Sequence, residues 1–151
     1  MNADDQLGFV IVLSETSAIG VTIESGQFIH VTYDKKGKAQ STALSVKGES
    51  GTEVVGSFRQ VSSTASRRQN ELFLVALSGT FVNVYQATLG QKVEITVLKR
   101  LRQACDCICG VSDEPSFFLA ERNAVQKALI DPNPGPKCLV SKVKHVFSKS
   151  D

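Results

Sequence analysis

Tryptophan is absent from this chain, methionine occurs once, and there are only two tyrosines and two histidines. The histidines are far apart: His30 lies within QFIHVTY and His145 beside a basic terminus. A histidine-centred proton relay therefore has no second member close in sequence. No G-x-S-x-G, H-E-x-x-H or phosphate-cradling glycine loop occurs, and the acidic pairs Asp4/Asp5 and Asp113/Glu114 are residues that turns and helix starts use routinely. We expect no enzymatic activity, no catalytic residue and no cofactor.

Long apolar runs are missing too. GFVIVL stops at six residues, whereas a membrane-spanning helix needs about 20. The N-terminus MNADDQ is acidic where a secretory leader would be basic, which points to a cytoplasmic protein. Four cysteines, three of them inside ACDCICG, do not form a disulfide framework in a chain of 151 residues. Charge is not one-sided, with 17 basic against 15 acidic residues and a net of +2. LKRLR and the basic tail could touch phosphate, and Phe81 and Tyr85 could stack on bases, but the near balance of charge speaks against a nucleic-acid partner.

What is present is period-two alternation of β-branched and aromatic residues in short runs, cut by Gly, Ser, Asn and Asp. GFVIVLS, AIGVTIES, QFIHVTYDKKG, QSTALSVKG, TEVVGSFRQV, NELFLVALSG, TFVNVYQA and QKVEITVLK each read as a strand. The hydroxyl-rich stretch from Ser62 to Asn70 reads as a solvated loop carrying Arg67 and Arg68. DPNPGP, Asp131 to Pro136, ends whatever precedes it, because stacked prolines cannot donate to a sheet. This divides the chain into a β-rich repeat domain, residues 1–136, and a basic C-terminal tail or final strand, residues 137–151.

Three segments echo one another: LGFVIVLSETSAIGVTIES, NELFLVALSGTFVNVYQAT and PSFFLAERNAVQKALIDP. The second and third begin about 45 residues apart and the first precedes the second by about 64, close to the repeat length of propeller blades. The expected class is all-β, with about three WD-repeat-like blades that cannot close a ring. In ACDCICG the alternation would turn Cys105, Cys107 and Cys109 to one buried face as compact apolar fillers, with Ile108 on the other. A structural zinc site fits less well, because such sites favour paired ligands two to four residues apart, and Cys138 stands alone. The alternative is an α+β chain, a β-meander or barrel closed by two helices. Val97, Leu101, Ala104, Cys105 and Ile108 also follow helical spacing, and SDEPSFFLAERNAVQKALI begins like a capped helix.

GFVIVLSETSAIGVTI, TEVVGSFRQVSSTASRRQNELFLVALSGTFVNVYQ and ACDCICGVSDEPSFFLAERNAVQKALID, in that order, resemble the C-terminal propeller blades of the Lethal giant larvae and tomosyn family. The resemblance covers about 100 residues and rests on strand rhythm and loop placement, without the Gly-His and Trp-Asp marks of strict WD repeats. It implies a non-enzymatic scaffold that binds SNARE or Rab-type proteins and regulates vesicle exocytosis and trafficking. Independently of it, the reading is a protein-interaction module or an adaptor or assembly-factor subunit of a larger complex. The candidate contact residues are Arg67 and Arg68 in the long loop, and Lys99, Arg100 and Arg102.

Overall fold

A computed structural model describes residues 7–22, 24–53, 57–66, 68–103, 105–121, 124–130 and 140–147. These residues form fourteen strands and no helix, so the chain is all-β. The first sheet is an antiparallel meander of β1 (Leu7–Ser14), β2 (Ser17–Thr22), β3 (Gln27–Tyr33) and β4 (Ala39–Leu44). The third is another, of β11 (Cys107–Gly110), β12 (Ser116–Glu121), β13 (Ala124–Ile130) and β14 (Val140–Phe147). Between them lies a six-stranded sheet. It holds the meander β7 (Gln60–Thr64), β8 (Glu71–Ser78), β9 (Phe81–Thr88) and β10 (Glu94–Arg102), extended by β5 (Val46–Gly48) and β6 (Gly51–Glu53). β5 runs parallel to β10 and pairs with only its first half, at Ile95 and Thr96.

The central strands β8 and β9 of the middle sheet are buried on both faces, which explains apolar runs such as LFLVAL. On one side Leu74, Ala76, Tyr85 and Ala87 pack against Ile19, Val21 and Phe28 of the first sheet. On the other, Val75, Leu77, Val82 and Val84 meet Ile108, Phe117, Leu119 and Ala128 of the third. Phe28, Phe58 and Tyr85 anchor the first interface, with ring centroids 5.2 to 6.4 Å apart in tilted or edge-on contact. The β8–β9 connection is only Gly79 and Thr80, and Gly79 takes φ 60°, a conformation that costs glycine nothing.

The helical alternative for the C-terminal third does not hold. Thr96 to Arg102 belongs to β10, CICG is β11, and the segment with the helix-like start forms β12 and β13. The three open sheets form neither a barrel nor a closed ring. Two narrower expectations also change. QSTALSVKG is two strands, because the chain leaves the first sheet at Ser45 and joins the second as β5. Ser62 to Thr64, expected in a loop, completes β7, where the Ser62 and Thr64 hydroxyls find partners across the sheet interface.

The internal echo is out of phase in its first copy. NELFLVALSGTFVNVYQAT is β8–β9 and PSFFLAERNAVQKALIDP covers β12–β13, the second and third strands of their meanders. LGFVIVLSETSAIGVTIES is β1–β2, so the true counterpart is β2–β3. β1 and β8 are equally apolar by composition. Yet β1 is an edge strand with Val10 and Val12 exposed, whereas β8 is central and buried.

Candidate functional site

The cysteine motif is not a site of three equivalent thiols. Asp106 N–H donates to the Ala120 carbonyl at 2.7 Å, although Cys107 is the residue in register with Ala120. This irregular step breaks the alternation before β11 begins. Ile108 then faces the core, Cys107 and Cys109 are exposed, and only Cys105 is buried, where desolvation pushes its thiol pKa up. Cys138 lies outside the described residues. Among the described residues no group of three His, Cys, Asp or Glu could hold a metal ion.

The expected basic contacts do not converge. Arg67 lies outside the described residues, and Arg68 is exposed, its N–H donating to Ser66 Oγ at 3.1 Å. The β7–β8 loop that carries it sits at the Glu71–Thr88–Glu94 end of the middle sheet. Arg102 pairs with Phe81 at the opposite end. A bulge between Val97 and Lys99 shifts the register of β10. Arg100 Nε donates to Asn83 Oδ1 at 3.2 Å on the face shared with the first sheet, while Lys99 stands across from Val84 of the other face.

A different feature stands out, the outer edge of β4. Tyr33 N–H donates to Thr16 O and Asp34 N–H to Lys38 O, which fixes the alternation of bonds across β2, β3 and β4. Gln40, Thr42 and Leu44 therefore exchange backbone bonds with β3. The N–H and C=O of Ala39, Ser41 and Ala43 point away from it. No described strand pairs with that side. All five residues from Ala39 to Ala43 are exposed, and β4, AQSTAL, carries no charge and no proline.

Beside this edge lies a cleft of about 460 Å³ between the first sheet and the start of β10. His30 and Thr42 line one wall, and Lys47, Lys92 and Glu94 the other. His30 Nε2 and Ser17 Oγ, 2.7 Å apart, tie β3 to β2 and fix the imidazole. Lys47 Nζ donates to Glu94 Oε2 at 2.9 Å. That hydrogen bond and the charge behind it hold the Glu94 carboxyl below the usual range, with a smaller pull from Lys92. The arrangement offers unpaired backbone groups next to a polar, lysine-bearing recess. QSTALSVKG reads as an ordinary strand in the sequence; the missing charge and small side chains of its QSTAL part are the available signal.

The edge of β11 is the counterpart. Val111 N–H donates to Ser116 O, so Ile108 and Gly110 turn their N–H groups outward. Gln60 Oε1 accepts from Ile108 N–H and Ser62 Oγ from Gly110 N–H, each at 2.8 Å. Thr64 Oγ1 donates to Glu114 O at 2.6 Å and accepts from Ser116 N–H at 3.1 Å. Alternate side chains of β7 thus satisfy the rim of the third sheet. Gly110 is required there, because a Cβ would collide with the Ser63 carbonyl, 2.7 Å from its carbon.

No protein-family model, no curated protein and no solved structure matches the chain. No described helix is long and apolar enough to cross a membrane.

Proposed function

We propose that the chain is a non-enzymatic protein-interaction module, its sheets stacked as propeller blades stack, that binds a partner by adding a strand to β4. The observation that carries this reading is the exposed, uncharged β4 with Ala39, Ser41 and Ala43 directing backbone donors and acceptors to solvent. Natural edges are usually blunted by charge, proline, bulges or a covering loop. β4 has no charge or proline, and its pairing with β3 shows no register shift. Strand addition draws affinity from such main-chain groups and specificity from adjacent recesses. Three four-stranded meanders stacked face to face support the blade reading. The narrower version, a cytoplasmic scaffold for SNARE or Rab-type proteins in exocytosis, is supported by the order of the resembling segments alone.

Affinity capture from a native lysate with the wild-type chain and with Ser41→Pro tests the reading. Proline is tolerated on an edge whose N–H faces solvent, so the variant should fold and lose the captured partners. Equal capture by both would sink the edge mechanism.

A further inference from the structure

Building on that reading, we infer that the occupant of the β4 edge is an extended acidic peptide segment, whose carboxylates enter the cleft between the first and second sheets. Local charge selects it. Residues 34–49 and 91–94, which make up the turn before β4, the edge and the cleft wall, carry Lys35, Lys36, Lys38, Lys47 and Lys92. Against these five stand Asp34, Glu49 and Glu94. Asp34 already accepts two backbone N–H groups of its own turn, Lys36 and Lys38, each at 2.9 Å. Glu94 is engaged by Lys47. The surroundings of the edge are therefore net positive, with Asp34 held in its own turn, Glu94 and Lys47 paired with each other, and four further lysines against Glu49.

Geometry directs the incoming side chains. A strand paired to β4 extends the first sheet by one ribbon, and every second side chain points to the face shared by Thr42 and Leu44. That face borders the cleft, whose far wall holds Lys92 beside the Lys47–Glu94 pair. A carboxylate there gains the Lys92 ammonium as a partner and can share Lys47 with Glu94. The other side chains of the segment lie over Ser41 and Ala43, where small residues leave room.

A second copy of this chain fits less well. Antiparallel pairing of two β4 edges about Ser41 would bring the lysine turn of each, Lys35 to Lys38, against the Lys47 end of the other. Like charges brought together across such a pair destabilise it.

The test uses the full chain and three labelled strand-length peptides, valine alternating with glutamate, glutamine or lysine. Binding is read by fluorescence anisotropy at low and moderate salt, and the contact by amide hydrogen exchange. The glutamate peptide should bind at least about tenfold tighter than the lysine peptide, with the gap shrinking as salt screens it. It should also slow exchange at Ser41 and Ala43. Lys92→Glu should narrow the preference severalfold with an unchanged unfolding midpoint, and Ser41→Pro should abolish binding of all three. Equal affinity for all peptides, with Ser41 and Ala43 protected, overturns the acidic partner while the edge reading survives. Binding that leaves those amides unprotected, or no binding at all, overturns both. Protection of Ser41 and Ala43 in the free chain, with concentration-dependent dimers, would assign the edge to a second copy instead.

Discussion

The edges of β4 and β11 present the same chemical problem and resolve it differently. Each leaves alternate N–H groups without a strand partner. At β11 the neighbouring sheet supplies Gln60 and Ser62 as acceptors, and the pairing becomes part of the interface between the second and third sheets. At β4 nothing described covers the backbone, and the residues around it carry lysines. A backbone group inside an interface must be satisfied by the fold, because leaving it bare costs about 1 to 3 kcal/mol. One facing water can wait for a partner.

Variants can break this contrast. The largest effect is expected at Gly110→Ala, where the added methyl meets Ser63 backbone that cannot swing aside. We expect a loss of about 3 kcal/mol or more in urea unfolding. Thr64→Val comes next. It removes the hydroxyl that serves both Glu114 O and the buried Ser116 N–H, which keep their bond to each other at 2.8 Å, and should cost about 1.5 kcal/mol in the same experiment. Gln60→Ala and Ser62→Ala should each cost about 1 kcal/mol and open the Ile108 or Gly110 amide to exchange. Ser41→Pro, at the other edge, should stay within about 1 kcal/mol of wild type. If it proved as damaging as Gly110→Ala, the two edges would not differ as described.

The smallest effect concerns Glu94. Its folded pKa is depressed, so its contribution to stability is present above the unfolded carboxyl pKa and fades as the pH falls through the folded value. Lys47→Ala should return the Glu94 titration, followed by carboxylate NMR shifts, toward the ordinary range. Added salt should weaken the wild-type shift, since the pair is exposed.

Much of the strand content was legible in the residues, because period-two runs such as FVNVYQAT and EITVL admit few other conformations. The class of the C-terminal third was not. Val97, Leu101, Cys105 and Ile108 satisfy a helical spacing as well as a strand, and only the pairing of β10 with β9 and of β11 with β12 decides between them. The burial of the cysteines was misread for a local reason: the step at Asp106 displaces the alternation by one residue, and no composition signal marks such a step. The phase of the repeat was misread because an edge strand and a central strand can share one apolar composition while differing in burial, as β1 and β8 do. The contact residues named from sequence were chosen for charge within loops and runs. The β4 edge was missed because its chemistry lies in main-chain groups, which every residue carries and only topology exposes.

Native-state amide hydrogen exchange, resolved by residue, compares the two edges in a single experiment on the unmodified chain. The expected result is fast exchange at Ser41 and Ala43 beside slow exchange at Ile108 and Gly110. Protected Ser41 and Ala43 amides in the isolated monomer, or rapidly exchanging Ile108 and Gly110, would contradict it.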